Sequence, residues 1–236
     1  CIDKNRVDFL KKINIKYIQL SLDSFDNEVN DYLRNMQGCT DKVKEVVDWL
    51  IKAKINVKIS TVVSKLNVNQ LKNMNDICRK KGCSFGFDFM ITNDDTTKEV
   101  KKIALSPREY VKNLMELFEY KFEDSSKSQC SYCGIGKTLL YVCVDGTVKL
   151  CPSEKSICLE EKMENVSLSE IYQKILLQYS VLRCSNNECK YYKICSGGCR
   201  NRAHWLNGAL DKPDPVQCIF METYDVSNRN SYANKC

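Results

Sequence analysis

Eight of the fifteen cysteines fall into spacings that suit metal ligation. The first block reads Cys130-x2-Cys133-x12-Gly146-x4-Cys151. The second reads Cys184-x4-Cys189-x5-Cys195-x3-Cys199, and Cys218 follows further on. Four thiolates complete one site for zinc or for an iron–sulfur cluster, so eight supply two. Zinc and iron–sulfur centres both accept tetrahedral thiolate, and spacing alone leaves the two open. Gly197-Gly198, between the last two cysteines of the second block, lets the backbone pass close to a cluster and offer amide donors to its sulfurs. Cys39, Cys78, Cys83, Cys158 and Cys236 follow no ligand spacing and read as core or surface thiols. His204, the single histidine, reads as a packed or surface residue beside Trp205.

Composition narrows what these thiols can be. A disulfide scaffold suits short secreted chains that cannot build a core. This chain has 236 residues, is 43% hydrophobic and carries an odd number of cysteines. It shows no signal-peptide pattern and no apolar run of membrane-spanning length. Ligation in a reducing compartment, the cytoplasm, is the better reading. The net charge of +6 comes from lysines scattered among acids. No basic run is interleaved with aromatics, so neither nucleic acid nor a membrane is expected as partner.

The elements that must position the thiols divide into two grammars. Residues 1–127 alternate strand and helix. Tyr17–Ser24, Asn56–Val63 and Ser84–Ile91 read as strands, the second with Val57, Ile59, Thr61 and Val63 on one face. Thr40–Lys54 and Asn69–Lys81 carry apolar residues at helical spacing. Ser106 to Glu109 forms a capping box with Pro107 at the first helical position. Repeated βα units of this spacing predict a parallel sheet with right-handed crossovers. The half reads as the C-terminal part of a larger βα domain. Residues 128–226 lose the rhythm and gain cysteines, and 227–236 read as a polar, flexible tail. Leu139–Pro152 is expected as a hairpin turning at Asp145-Gly146, Ser167–Tyr179 as a helix, and the stretch from Arg200 as a short helix. A two-residue turn would set Cys143 opposite Val148 and Cys151 opposite Leu140, on opposite faces. That singles out Cys151, at the open end, as the ligand.

From Cys133 to Cys218 this pattern resembles a SPASM domain, whose signature is C-x(9–15)-G-x4-C, then C-x2-C-x5-C-x3-C, then a last C. One departure is plain: Cys184 and Cys189 are four residues apart, not two. "YIQLSLDSFDNEVNDYLRN" and "INVKISTVVSKLNVNQL" resemble the fourth- and fifth-strand regions of a radical SAM barrel. The resemblance implies an α/β fold: the later part of a partial (β/α)6 radical SAM barrel, then a small cysteine-rich SPASM domain of hairpin and helices.

Carried over by position, the resemblance implies two auxiliary 4Fe-4S clusters. Cys130, Cys133, Cys151 and Cys199 would hold one; Cys184, Cys189, Cys195 and Cys218 would hold the other. Ser21 and Arg34, with Asp23 beside them, match positions that hold the methionine carboxylate of S-adenosylmethionine, and a hydroxyl and a guanidinium suit a carboxylate. The C-x3-C-x2-C loop of a third 4Fe-4S cluster is absent from this sequence, so the expectation is a fragment of a longer enzyme that cannot cleave S-adenosylmethionine as it stands. The implied activity is that of an oxidoreductase acting on a peptide or protein: hydrogen abstraction by the 5′-deoxyadenosyl radical, with flavodoxin or ferredoxin as electron donor. An anaerobic sulfatase maturase is the alternative, although Pro152 stands where that group carries an aspartate. A non-catalytic zinc module that binds peptides is the third reading.

Overall fold

β-branched strands and amphipathic helices in alternation build the first of two compact units, residues 1–120; the second comprises residues 121–236. The computed structural model describes residues 2–88, 98–118, 141–149, 151–153, 158–181, 184–195 and 197–223. In the first unit the order is α1 (Lys4–Lys12), β1 (Tyr17–Ser21), α2 (Asn27–Arg34), α3 (Cys39–Lys52), β2 (Asn56–Val62), α4 (Leu71–Lys81), β3 (Ser84–Asp88), α5 (Lys98–Ile103) and α6 (Pro107–Phe118). The strands form one sheet in the order β1-β2-β3, and both pairings are parallel.

The register divides this sheet into two faces. Ile18 pairs with Val57, and Leu20 with Ile59, which in turn pairs with Phe85. These residues pack with Val46, Val47 and Leu50 of α3 and Cys78 of α4 in one apolar core. The expected face of Val57, Ile59, Thr61 and Val63 is buried throughout. The alternate positions are polar: Gln19 beside Lys58, Ser21 beside Ser60, and Ser60 beside Gly86. Parallel sheets are ordinarily apolar on both faces. A polar face on one side suits a ligand rather than a second helical layer.

Side-chain amides and carboxylates tie the C-terminal strand ends together. Asn67 is fully buried. Its Nδ2 donates to the carbonyls of Asp23 (2.8 Å) and Val62 (2.9 Å), and its Oδ1 accepts from Ser64 N (2.7 Å). The loops leaving β1 and β2 are thereby joined. Asp31 accepts from Thr40 N (2.9 Å), Thr40 Oγ1 (2.5 Å) and Gly38 N (2.5 Å), which docks the start of α3 on α2. Gly82, at φ +75°, ends α4 in the left-handed region and lets Cys83 N reach Cys78 O at 2.9 Å, the bonding of a Schellman cap. Burial, with Cys83 close by, pushes the Cys78 thiol up to about 12, which makes it a packing group.

The second unit holds β4 (Tyr141–Val142), β5 (Thr147–Lys149), β6 (Cys158–Lys162), α7 (Leu168–Val181), α8 (Tyr192–Cys195) and α9 (Arg200–Asn207), and residues 215–223 form a last helix, α10. The capping boxes at Ser106 and Ser167 both form: Glu109 N and Glu170 N each reach the serine Oγ at 3.3 Å.

The hairpin departs from the two-residue turn expected of it. Val142 pairs with Val148, and Cys143 N donates to Thr147 O at 2.8 Å. The loop is Val144-Asp145-Gly146, three residues long, because Asp145 accepts from Thr147 N (3.0 Å) and Gly146 takes φ +84°. That is the turn-plus-bulge alternative for hairpins. The one-residue shift places Cys143 opposite Thr147, so strand alternation no longer separates Cys143 from Cys151. Burial does: Cys151 is buried and Cys143 half-buried. The third strand, β6, was not anticipated; it pairs with β5 across a bulge.

Replacing Asn67 with alanine strands three buried backbone groups and should cost about 3 kcal/mol, read as a lower urea midpoint for the first unit. A loss below about 0.5 kcal/mol would show that the side chain joins nothing. Asp31 supplies a pH test. The Thr40 hydroxyl, followed by the amides of Thr40 and Gly38, holds its carboxyl below the usual range against the opposing effect of burial. A depressed folded pKa gives stability that is present above the unfolded value and lost as pH falls through the folded one. Asp31→Asn should therefore flatten the acid-side fall in stability below about pH 4; parallel curves for the two proteins would refute this.

Candidate metal centre

Four cysteines from three separate segments meet at one cavity in the second unit. Cys184 and Cys189 lie in the loop after α7, Cys195 ends α8, and Cys218 lies on α10. All four line a cavity of about 250 Å³, together with Tyr191 and Gly197. This is the second of the two ligand sets implied by the resemblance. The unusual x4 interval is absorbed locally, because a turn at Asn187-Glu188 lets Cys189 N approach Asn186 O at 3.4 Å. Both thiols still reach the same space.

Two of the four are shifted by their surroundings. Burial raises the pKa of Cys195, and the charges of Asp214, Cys184 and Cys189 raise it further, against the Gly197 amide. Burial also lifts Cys218, to about 11, with Cys195, Asp214, Cys184 and Cys189 adding to it. A cationic centre among them would offset this effect on Cys195 and Cys218.

Among the described residues no three His, Cys, Asp or Glu side chains converge tightly enough to hold one metal ion, and the four thiols ring a space of about 250 Å³. Four thiolates suit zinc and a 4Fe-4S cluster alike.

Asp214 holds the walls of this cavity in place. It is fully buried. Oδ2 accepts from Cys199 N (2.8 Å) and Arg202 Nη2 (2.7 Å), and Oδ1 accepts from Val216 N (3.1 Å). It is the N-cap of α10, followed by Pro215 at the first helical position. That Asp-Pro signal was present in the sequence and was missed. The two glycines are obligatory here. At Gly197, φ +93°, an added Cβ would stand 2.8 Å from Cys184 Cβ; at Gly198, φ +73°, it would stand 2.6 Å from Asp214 Oδ2.

Of the other expected ligand set, only Cys151 and Cys199 are among the described residues. Cys130 and Cys133 lie outside the described residues. Cys151 is buried beyond β5, and Cys199 is the N-cap of α9. Burial raises the Cys199 thiol, while the Arg202 amide and guanidinium pull it down.

In the first unit the expected cofactor residues stand at the C-terminal end of β1. Arg34 Nη2 meets Asp23 Oδ2 at 2.9 Å, and Asp23 Oδ1 accepts from Val62 N at 2.9 Å. Asp23 therefore anchors the guanidinium to the sheet, a positioning role that sequence reasoning had not separated from binding. Ser21 is exposed at the strand end and is brought to neither of them by a direct bond. It borders a shallow cavity of about 270 Å³ with Ile2, Leu20 and Lys42.

No family model matches this chain. Mycofactocin maturase MftC of Mycolicibacterium smegmatis is 24% identical over 226 residues, covering 86% of this chain and 57% of that protein. AdoMet-dependent heme synthase of Methanosarcina barkeri is 20% identical over 250 residues, covering 91% of this chain and 70% of that protein. The chain thus spans little more than half the length of the maturases it matches. The solved structure of anSMEcpe with bound AdoMet superimposes with a TM-score of 0.70 at 19% identity, covering 100% of this chain and 72% of that one; the same protein is also solved with AdoMet and the Cp18Cys peptide. The sequence likeness to these proteins agrees with the resemblance to radical SAM enzymes drawn from the motifs, and the solved structure shares the fold. Among the described residues no helix is long and apolar enough to cross a membrane.

Asp214→Ala leaves Arg202, Cys199 N and the first turn of α10 without their acceptor. The expected cost is about 3 kcal/mol in urea unfolding of the second unit. Asp214→Asn keeps an acceptor and a cap and should lose less than half of that. Equal losses for the two variants would mean that volume alone matters at this position.

Proposed function

We propose that this chain is part of a radical SAM enzyme that modifies a peptide or protein by hydrogen abstraction, and that its second unit holds auxiliary 4Fe-4S clusters. The observation that carries the reading is the shared cavity of Cys184, Cys189, Cys195 and Cys218. A cluster bound there would supply one-electron uptake. The chain's own residues do the rest. Four thiolates from the loop after α7, from α8 and from α10 bind it, and the Gly197 amide faces the Cys195 sulfur. Asp214 ties the start of α9 to the start of α10, which carries Cys218.

Cys130, Cys133, Cys151 and Cys199 form the ligand set we propose for a second cluster. In the first unit, we assign Arg34 and Ser21 to the methionine carboxylate of S-adenosylmethionine. Asp23 holds Nη2 of the guanidinium, and the Arg34 side chain is 34% exposed, with further donors to offer a ligand. The polar sheet face around Ser21 and Ser60 then lines the reaction space, at the strand ends where open α/β sheets bind ligands. The peptide substrate is supported by the peptide-bound solved structure. The maturase reading ranks second, because Pro152, following Cys151, offers no acid or base.

Metal analysis of the chain, purified and reconstituted without oxygen, tests the assignment. Two four-thiolate clusters give about eight irons per chain and broad visible absorbance. Cys218→Ser should remove about half of that iron, and so should Cys151→Ser. Two zincs per chain and no colour would refute the cluster reading and favour a structural peptide-binding module.

A further inference from the structure

Arg200 opens α9 directly after Cys199 and is buried at 8% exposure. Only part of its guanidinium is accounted for. Nη1 donates to the carbonyls of Leu210 (2.8 Å) and Lys212 (2.9 Å). Nε and Nη2 are shut off from water and find no acceptor among the described residues. Orphaned buried donors are rare in folded proteins, and a charged one is costly. The obvious anion nearby, Asp214, is already engaged by Arg202, Cys199 N and Val216 N.

The direction of the orphaned edge is given by Gly197. The Cβ that an alanine would carry there lies 2.9 Å from Arg200 Nη2 and 2.8 Å from Cys184 Cβ. Gly197 and Cys184 both line the thiol cavity. The absent side chain at 197 is what allows the guanidinium to reach the wall on which Cys184 stands. Among the described residues neither an oxygen nor a thiol sulfur accepts from Nε or Nη2, and the sulfides that a cluster would bring to this thiol-lined cavity are acceptors of the right kind.

We propose that Arg200 donates N–H···S hydrogen bonds to a sulfide of the cluster beside Cys184 and thereby raises the cluster's reduction potential. The inference rests on the reading that this cavity holds a 4Fe-4S cluster. One added electron makes such a centre more negative, so a fixed cation with two free donors stabilises the reduced form. Arg200 is a positioning and tuning residue in this scheme: it binds no iron and touches no substrate.

The test uses the reconstituted chain, with dithionite as one-electron reductant. Iron content and the spectrum of the reduced wild-type protein come first; a chain without iron refutes the underlying reading. With iron present, pulsed EPR on protein carrying 15N-labelled arginine should detect guanidinium nitrogen coupled to the reduced cluster. No coupling overturns the role of Arg200 and leaves the cluster assignment intact. Arg200→Gln should then lower one of the midpoint potentials by about a tenfold change in the reduction equilibrium, 59 mV for a one-electron couple. Arg200→Lys, which keeps the charge, should recover part of that shift. Full iron with unchanged potentials overturns the proposal, because a purely structural arginine would alter loading or stability instead. Should Arg200→Gln fail to load iron, the wild-type coupling decides.

Discussion

Asp214 is a carboxylate without access to water, and a buried charge must be met by hydrogen bonds or an opposite charge. It is met from three directions: by the Arg202 guanidinium on α9, by the backbone amide of Cys199, and by the first turn of α10. Each contact fixes a piece of the thiol site. Cys199 begins α9, Cys218 sits one turn into α10, and Cys218 N donates back to Asp214 O at 2.9 Å. The loop carrying Cys195 must cross directly over this carboxylate, and only glycine leaves room at 198. The cavity is therefore a consequence of how one anion is satisfied.

The first unit solves a related problem at the end of its sheet. Strand ends in a parallel sheet leave backbone groups pointing at the ligand side. Asn67 satisfies those of β1 and β2 with a single amide, and Asp23 uses one carboxylate oxygen for Val62 N and the other for Arg34. The result is a cation held rigidly beside a polar sheet face. Preorganisation of this kind is what an anionic ligand group requires, since the entropy of ordering the side chain is already spent.

The ligand cysteines illustrate why packing and chemistry pull in opposite directions. Burial drives thiols toward the neutral form, as at Cys78 and Cys218. Cys78 has an apolar surrounding and a cap to complete, and neutrality suits it. Cys218 faces three other thiols across open space, so neutrality leaves the space unfilled. The same physical shift marks a core residue in one place and the wall of a thiol-lined cavity in the other; the neighbours decide which.

Much of this was legible in one dimension because it is local. Helix faces, capping boxes at Ser106 and Ser167, and strand alternation at Val57 to Val63 depend on residues a few positions apart. Cysteine spacing likewise picked out the eight candidate thiols, and the family resemblance grouped Cys184, Cys189, Cys195 and Cys218. The hairpin register was not legible, since a two- or a three-residue loop fits the same Asp-Gly, and the Asp145 bond to Thr147 chose the longer one. β6 was hidden for the same reason: a strand of mixed polarity is defined by its partner. The roles of Asp214 and Arg200 were also out of reach, because they arise between segments brought together only by folding. The sequence by itself determined the local elements and the candidate thiols. The tertiary structure decided which thiols share a cavity and which buried charges face it, since burial and unmet hydrogen bonds are properties of neighbours in space.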